Sequence, residues 1–155
     1  MTTTGRIYRI PGLALDTTPH DHIPPTGSMA MHINDSHQAR HGGFEHFTGD
    51  VWMDELAGLD ESNRTSMLNV HFSPGARTAW HQHPRGQIMH VTQGVGLVQH
   101  RGAPVRTIRA GDTVITPAEE WHWHGATPET TMAMISIQGA DTHGQVVYWG
   151  EPGPH

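Results

Sequence analysis

From about Phe47 onward, glycine, proline and aspartate cut the chain at intervals of about ten residues into short runs rich in β-branched and apolar side chains. Such punctuation leaves no stretch for a helix of ordinary length and calls for strands joined by turns. Strands are expected near 47–54, 66–73, 78–83, 87–92, 95–100, 104–108, 113–116, 122–126, 131–138 and 145–149. Only Trp52 to Glu61 reads as a short helical turn, before Ser62-Asn63-Arg64.

The breaks carry residues suited to turn dihedrals: Ser73-Pro74-Gly75, Gln93-Gly94, Arg101-Gly102, Ala110-Gly111-Asp112 and Thr127-Pro128. Within one run, Leu68, Val70 and Phe72 alternate with Met67, Asn69 and His71, which turns an apolar face inward and His71 outward. The fold class is therefore all-β, a sandwich or barrel built of antiparallel hairpins.

Residues 1–43 have another texture. They contain Pro11, Pro19, Pro24, Pro25 and a polar run from His32 to Gly43, with neither helical nor alternating periodicity. They read as an irregular arm, 44–151 as one domain and 152–155 as a C-terminal tail; a chain of 155 residues fits a single core. His20, His22, His32, His37, His41 and His46 are spaced irregularly, as solvated loop residues are.

Composition removes several functional classes. With no cysteine, disulfides, thiolate metal sites and cysteine nucleophiles are excluded together, so any metal must sit on nitrogen and oxygen. A formal charge of −6 without a basic stripe argues against nucleic acid as a partner. The chain start lacks the apolar core of a signal peptide, and no window approaches the roughly 20 apolar residues that span a bilayer. A soluble, cytoplasmic protein without a membrane partner is expected.

Fifteen histidines in 155 residues is a strong bias, but spacing decides what they do. His81 and His83 are two apart, so on an extended strand both rings project from one face and can reach one ion at roughly 2.1 Å each. Gln87 keeps the same parity after a break at Pro84. His122 and His124 repeat the two-residue spacing, and a closed antiparallel sheet can bring the two pairs together. Trp80, Trp121 and Trp123 have the opposite parity and should pack away from the ion. Arg77, in the turn before the first pair, suits either an anionic substrate group or a solvated rim.

The pairs sit in a specific frame. Gly75, five residues, His81-Gln82-His83, three residues, Gln87, six residues and Gly94 resemble the first motif of the cupin family. Gly111, five residues, Pro117 and then His122 resemble the second, with Glu119 where that pattern usually has glycine and Ala126 where it has asparagine. Gln87 replaces the usual glutamate. From Pro74 through Ala126 the chain resembles the small bacterial cupins that include manganese-dependent hydroxynitrile lyases, with the likeness extending over about 47–149.

That resemblance implies a double-stranded β-helix, a conical β-sandwich or jelly-roll barrel, with an N-terminal arm outside it. It implies one divalent metal ion, manganese first, then iron, zinc or nickel, on His81, His83, Gln87 and His122. His124 falls on a pocket histidine, which a neighbouring dication would hold neutral and fit as a general base. Gln138 falls on a polar residue of the closing strand, beside Met132, Met134 and Ser136 on one face. Met134 stands where the lyases carry another histidine. The implied activity is lyase-type chemistry on a small molecule; the alternatives are an iron or manganese dioxygenase and a non-catalytic ligand-binding module. A homodimer or homotetramer is expected.

Overall fold

The computed structural model describes residues 31, 33–34, 39–59 and 63–154. His20, His22, His32 and His37 of the arm lie outside these residues. Among the described residues there is no helix, and none long and apolar enough to cross a membrane.

The strands are β1 (Arg40–His41), β2 (Phe47–Thr48), β3 (Val51–Ala57), β4 (Thr65–Phe72), β5 (Arg77–Thr78), β6 (His81–Gln82), β7 (Gln87–His100), β8 (Arg106–Arg109), β9 (Thr113–Thr116), β10 (His122–Ala126), β11 (Met132–Gly139) and β12 (Tyr148–Trp149). Every pairing is antiparallel, and the main path runs β1-β3-β4-β11-β7-β10-β5-β2. β6 joins β10 to β12, while β8 and β9 both pair with β7. This is the curled all-β barrel that the hairpin rhythm and the cupin resemblance imply.

β7 closes the barrel because it belongs to both sides. Its first half pairs with β9 and β11, and its second half with β8 and β10. The sequence reading divides this stretch into two strands at Gln93-Gly94, and the structure corrects it to one strand of 14 residues. Gly94 stays within the strand instead of turning: it pairs with Met132, the register shift falls at Thr92 between the Gln93 and Val91 pairs, and at Gly94 φ is +77° and a Cβ would lie 1.9 Å from the Thr131 carbonyl oxygen. Only glycine fits that approach, and the bulge at Thr92 lets the strand bend from one sheet into the other.

Further expectations change: the strand expected at 47–54 is β2 and the start of β3, and that expected at 145–149 is β12 alone. The short helical turn read at Trp52–Glu61 is strand β3 as far as Ala57; Val51 is fully buried while Trp52 is 46% exposed, and β1 and β4 flank it with hydrogen-bonding partners. Gly58 and Leu59 follow outside any strand, and the last two residues of that stretch lie outside the described residues. The strand expected at 78–83 is two short ones, β5 and β6. Between them, Ala79 and Trp80 donate their amides to the carbonyls of His46 and Glu151. The other four turn signals fall between strands, and Gly75, Gly102 and Gly111 take positive φ.

Val51, Val70, Phe72, Met89, Val91, Ile108, Met132 and Met134 form the core, and Leu68, Val70 and Phe72 point inward from β4 as their alternation requires, with His71 exposed. Glu119, at the position where the second motif usually has glycine, holds φ +63°. A side chain there costs roughly 1–2 kcal/mol. Its amide donates to the His83 carbonyl, 2.9 Å, which fixes the loop behind the first histidine pair. His41 and His46 are half-buried, against the solvated reading: the His46 ring stacks on Trp149, centroids 4.4 Å apart, and His41 meets Trp52 edge-on at 5.0 Å.

Candidate metal centre

His81 and His122 face each other across the β6–β10 ladder, which puts their ring centroids 4.3 Å apart. His83, one residue past β6, returns to the same face and lies 5.2 Å from His81 and 5.7 Å from His122 between centroids. The three offer ring nitrogens that all lie within 4.8 Å of one another, a group able to hold a metal ion. All three side chains are buried.

Each ring is oriented from behind by a backbone carbonyl. Nδ1 of His81 bonds Ala79 O at 3.0 Å, Nδ1 of His83 bonds Val146 O at 2.6 Å, and Nδ1 of His122 bonds Glu120 O at 2.8 Å. A carbonyl oxygen only accepts, so Nδ1 carries the ring proton and Nε2 presents its lone pair to the cluster. Burial pushes all three rings toward the neutral form: His83 to about 4, His122 below its ordinary range and His81 well below it, where the neighbouring histidines add to the effect.

Gln87, the first residue of β7, is 5% exposed. Its Nε2 donates to the Ser136 hydroxyl at 2.9 Å, which turns its carbonyl oxygen to 2.9 Å from Nε2 of His122. A neutral His122 has a single ring proton, and that proton, on Nδ1, is donated to the Glu120 carbonyl. Two lone pairs therefore face each other at hydrogen-bond distance, an arrangement that a cation between them reconciles. Nε2 of His83 is likewise buried without a hydrogen-bond partner. The donor set, three neutral imidazoles and an amide oxygen, suits a divalent transition ion.

Beside this cluster lies a cavity of about 110 Å³, lined by His81, His83, Gln87, His124, Ser136 and Gln138 at its polar end. Its remaining wall is largely apolar, with Phe47, Leu68, Val70, Phe72, Met134 and Trp149 among its residues. The volume is on the order of the ~150 Å³ apolar cavity that holds a benzene ring.

His124 sits on β10 two residues beyond His122, 5.1 Å from the His81 ring and edge-on to Phe72 at 5.6 Å. Burial and then the charges of His122 and His83 hold it well below the ordinary histidine range. Its Nδ1 is buried without a hydrogen-bond partner. Of the six residues singled out in the sequence, His81, His83, Gln87, His124 and Gln138 line this cavity, and His122 meets Gln87 and His81 beside it.

The tryptophans divide as their parity requires: Trp80, Trp121 and Trp123 line no part of the cavity, and Trp123 donates to Gln99 at 2.7 Å on the far face of β10. Arg77 is also absent from the cavity wall and lies in β5 opposite Gly125. The sequence reading missed the C-terminal stretch. Val146, Val147 and Trp149 close the cavity, and Trp149 lies 5.0 Å from the His81 ring. Its only signal was the aromatic side chain; the Val146 carbonyl, being backbone, carries none.

Comparison with known proteins agrees with this geometry. Residues 68–138 match the cupin domain family. The chain is 43% identical over 110 residues to an (R)-mandelonitrile lyase of Granulicella tundricola, across 71% of this chain and 83% of that one. Among solved structures, a cupin-like protein from Thermotoga maritima is similar with a TM-score of 0.68 and 39% identity, over 77% of this chain and 90% of that chain. A cupin-2 domain from Rhodospirillum rubrum shares the fold alone, with a TM-score of 0.63 and 15% identity over 78% and 80% of the two chains.

Proposed function

The chain belongs to the cupin family, and from that premise we propose that it is a metal-dependent lyase that cleaves or forms a carbon–carbon bond in a small α-hydroxynitrile. The observation that carries the reading is the convergence of His81, His83 and His122 with the Gln87 oxygen, beside a largely apolar cavity that His81, His83 and Gln87 help to line. The name of the 43% identical relative supplies the substrate class. Manganese is the ion proposed first, on the resemblance.

A divalent ion held there by His81, His83, Gln87 and His122 supplies Lewis acidity to an oxygen of the bound substrate. The chain's own groups do the rest. The apolar wall takes the organic substituent and excludes water, and Gln138 orients the polar end of the molecule. His124, kept neutral by burial, accepts the hydroxyl proton. The carbon–carbon bond then breaks, its electron pair leaves with the nitrile carbon, and the carbinol carbon becomes a carbonyl. The His124 imidazolium returns its proton to cyanide, which restores the neutral ring.

Elemental analysis of the purified protein, followed by cyanohydrin-cleavage and oxygen-uptake assays before and after chelation, tests this reading. About one ion per chain and chelator-sensitive aldehyde and cyanide release are expected. Oxygen uptake without cyanide release would replace the lyase with a dioxygenase.

A further inference from the structure

Behind the metal centre runs a buried line of amides and hydroxyls in which Ser136 and Ser66 have no part in the chemistry above. Gln87, Gln138 and Ser66 are register partners on β7, β11 and β4, and Ser136 lies two residues along β11 on the same face. Their exposures are 5%, 4%, 8% and 3% respectively. The Gln87 amide donates to Ser136 at 2.9 Å, the Ser136 hydroxyl donates to Oε1 of Gln138 at 2.6 Å, and Nε2 of Gln138 donates to the Ser66 hydroxyl at 3.2 Å.

The line has a direction because a hydroxyl has one proton. Ser136 gives its proton to Gln138 and can only accept from Gln87, so the end of Gln87 that meets Ser136 must be its NH₂. The carbonyl oxygen is then left for His122. Turning Gln87 alone would set an oxygen against a hydroxyl oxygen whose proton is committed. Reversing the whole line would satisfy every bond but aim an NH₂ at the pole where three imidazole lone pairs gather, which suits no cation.

We infer that Ser136, backed by Gln138 and Ser66, is a positioning residue that selects which end of the Gln87 amide enters the histidine cluster and so makes Gln87 a neutral oxygen ligand. The inference rests on the metal-centre reading above. It also explains how an amide can stand where the family usually has glutamate. A carboxylate offers oxygen from either end and needs no such guide; an amide offers oxygen from one end only.

That asymmetry gives the test. Mn(II) affinity of the full-length protein is measured by competition with a chelator for wild type, Ser136→Ala, Gln87→Glu and the double variant. Ser136→Ala is expected to weaken Mn(II) about 10- to 100-fold, the usual effect of removing a group that orients a ligand. In the Gln87→Glu background the same change is expected to alter affinity by no more than about twofold, the scatter of independent sites. Equal losses in both backgrounds would make Ser136 a merely structural residue, and no loss with Gln87 present would overturn the inference. Should Ser136→Ala not fold, Gln138→Leu removes the acceptor that fixes the hydroxyl and is read in the same two backgrounds. A wild-type protein that takes up no divalent ion would overturn the metal-centre reading first, and this inference with it.

Discussion

The two walls of the cavity solve opposite problems. On the side of β6 and β10, the rings of His81, His83 and His122 are buried and each is answered by a backbone carbonyl from a turn or from the C-terminal stretch. On the side of β4 and β11, Leu68, Val70 and Met134 fill space, and polar groups occur only where Ser66, Ser136 and Gln138 can satisfy one another. The first wall is specific because a neutral imidazole has one proton to place; the second because a side chain must fit a volume. Chemistry should therefore be lost steeply by changes to the first and only gradually by changes to the space-filling side chains of the second.

The steepest expected loss is at the ligands. His122→Ala or His81→Ala should remove most bound metal and with it the activity, while β-sheet circular dichroism persists, since each deletes one donor from a preformed cage. Full metal occupancy in either variant would break the distinction between the walls. Next comes His124→Ala, expected to leave metal content intact and lower turnover by about 10² to 10⁴, the worth of a positioned base. Loss of metal in that variant would make His124 a ligand.

Acid should act on the first wall alone. Burial holds the His83 ring at about 4 and pushes His81, His122 and His124 in the same direction, against roughly 6.5 for an exposed ring. Between those values the unfolded chain binds protons that the folded chain refuses, so stability is fully present above about pH 6.5 and falls as pH drops toward 4. The melting temperature of the metal-free protein, scanned across this window, should decline continuously; a flat profile would mean that the rings charge as freely in the folded barrel as outside it. The smallest effect is expected on the second wall, where Met134→Leu should cost less than about 1.5 kcal/mol in denaturant unfolding and leave metal content unchanged.

The first wall was legible in the sequence because it is built from local spacing. A two-residue interval on a strand fixes parity, and so His81, His83, His122 and His124 could be placed on common faces before any fold was known. Strand ends were less legible. Gln93-Gly94 has the composition of a turn, yet both residues pair with β11 inside β7, and the glycine is required there by the Thr131 carbonyl, a neighbour about forty residues away in the chain. The same holds for the Val146 carbonyl behind His83 and for Trp149 over His81, whose roles arise when β12 pairs with β6. Ser66 and Ser136 were invisible as a pair, since hydroxyl residues on two strands acquire a relationship only through register.

β7 has a further consequence for how the molecule comes apart. Because one strand supplies ladder partners to both halves of the barrel, neither half can peel away without stripping amides from the other. Opening is thereby made cooperative at the centre even though the short strands at the periphery are free to fray. Amide hydrogen exchange in the middle of β7 should accordingly track global unfolding, and if Gln87, the strand's first residue, is a ligand as proposed, metal should slow exchange well beyond the residues that touch it.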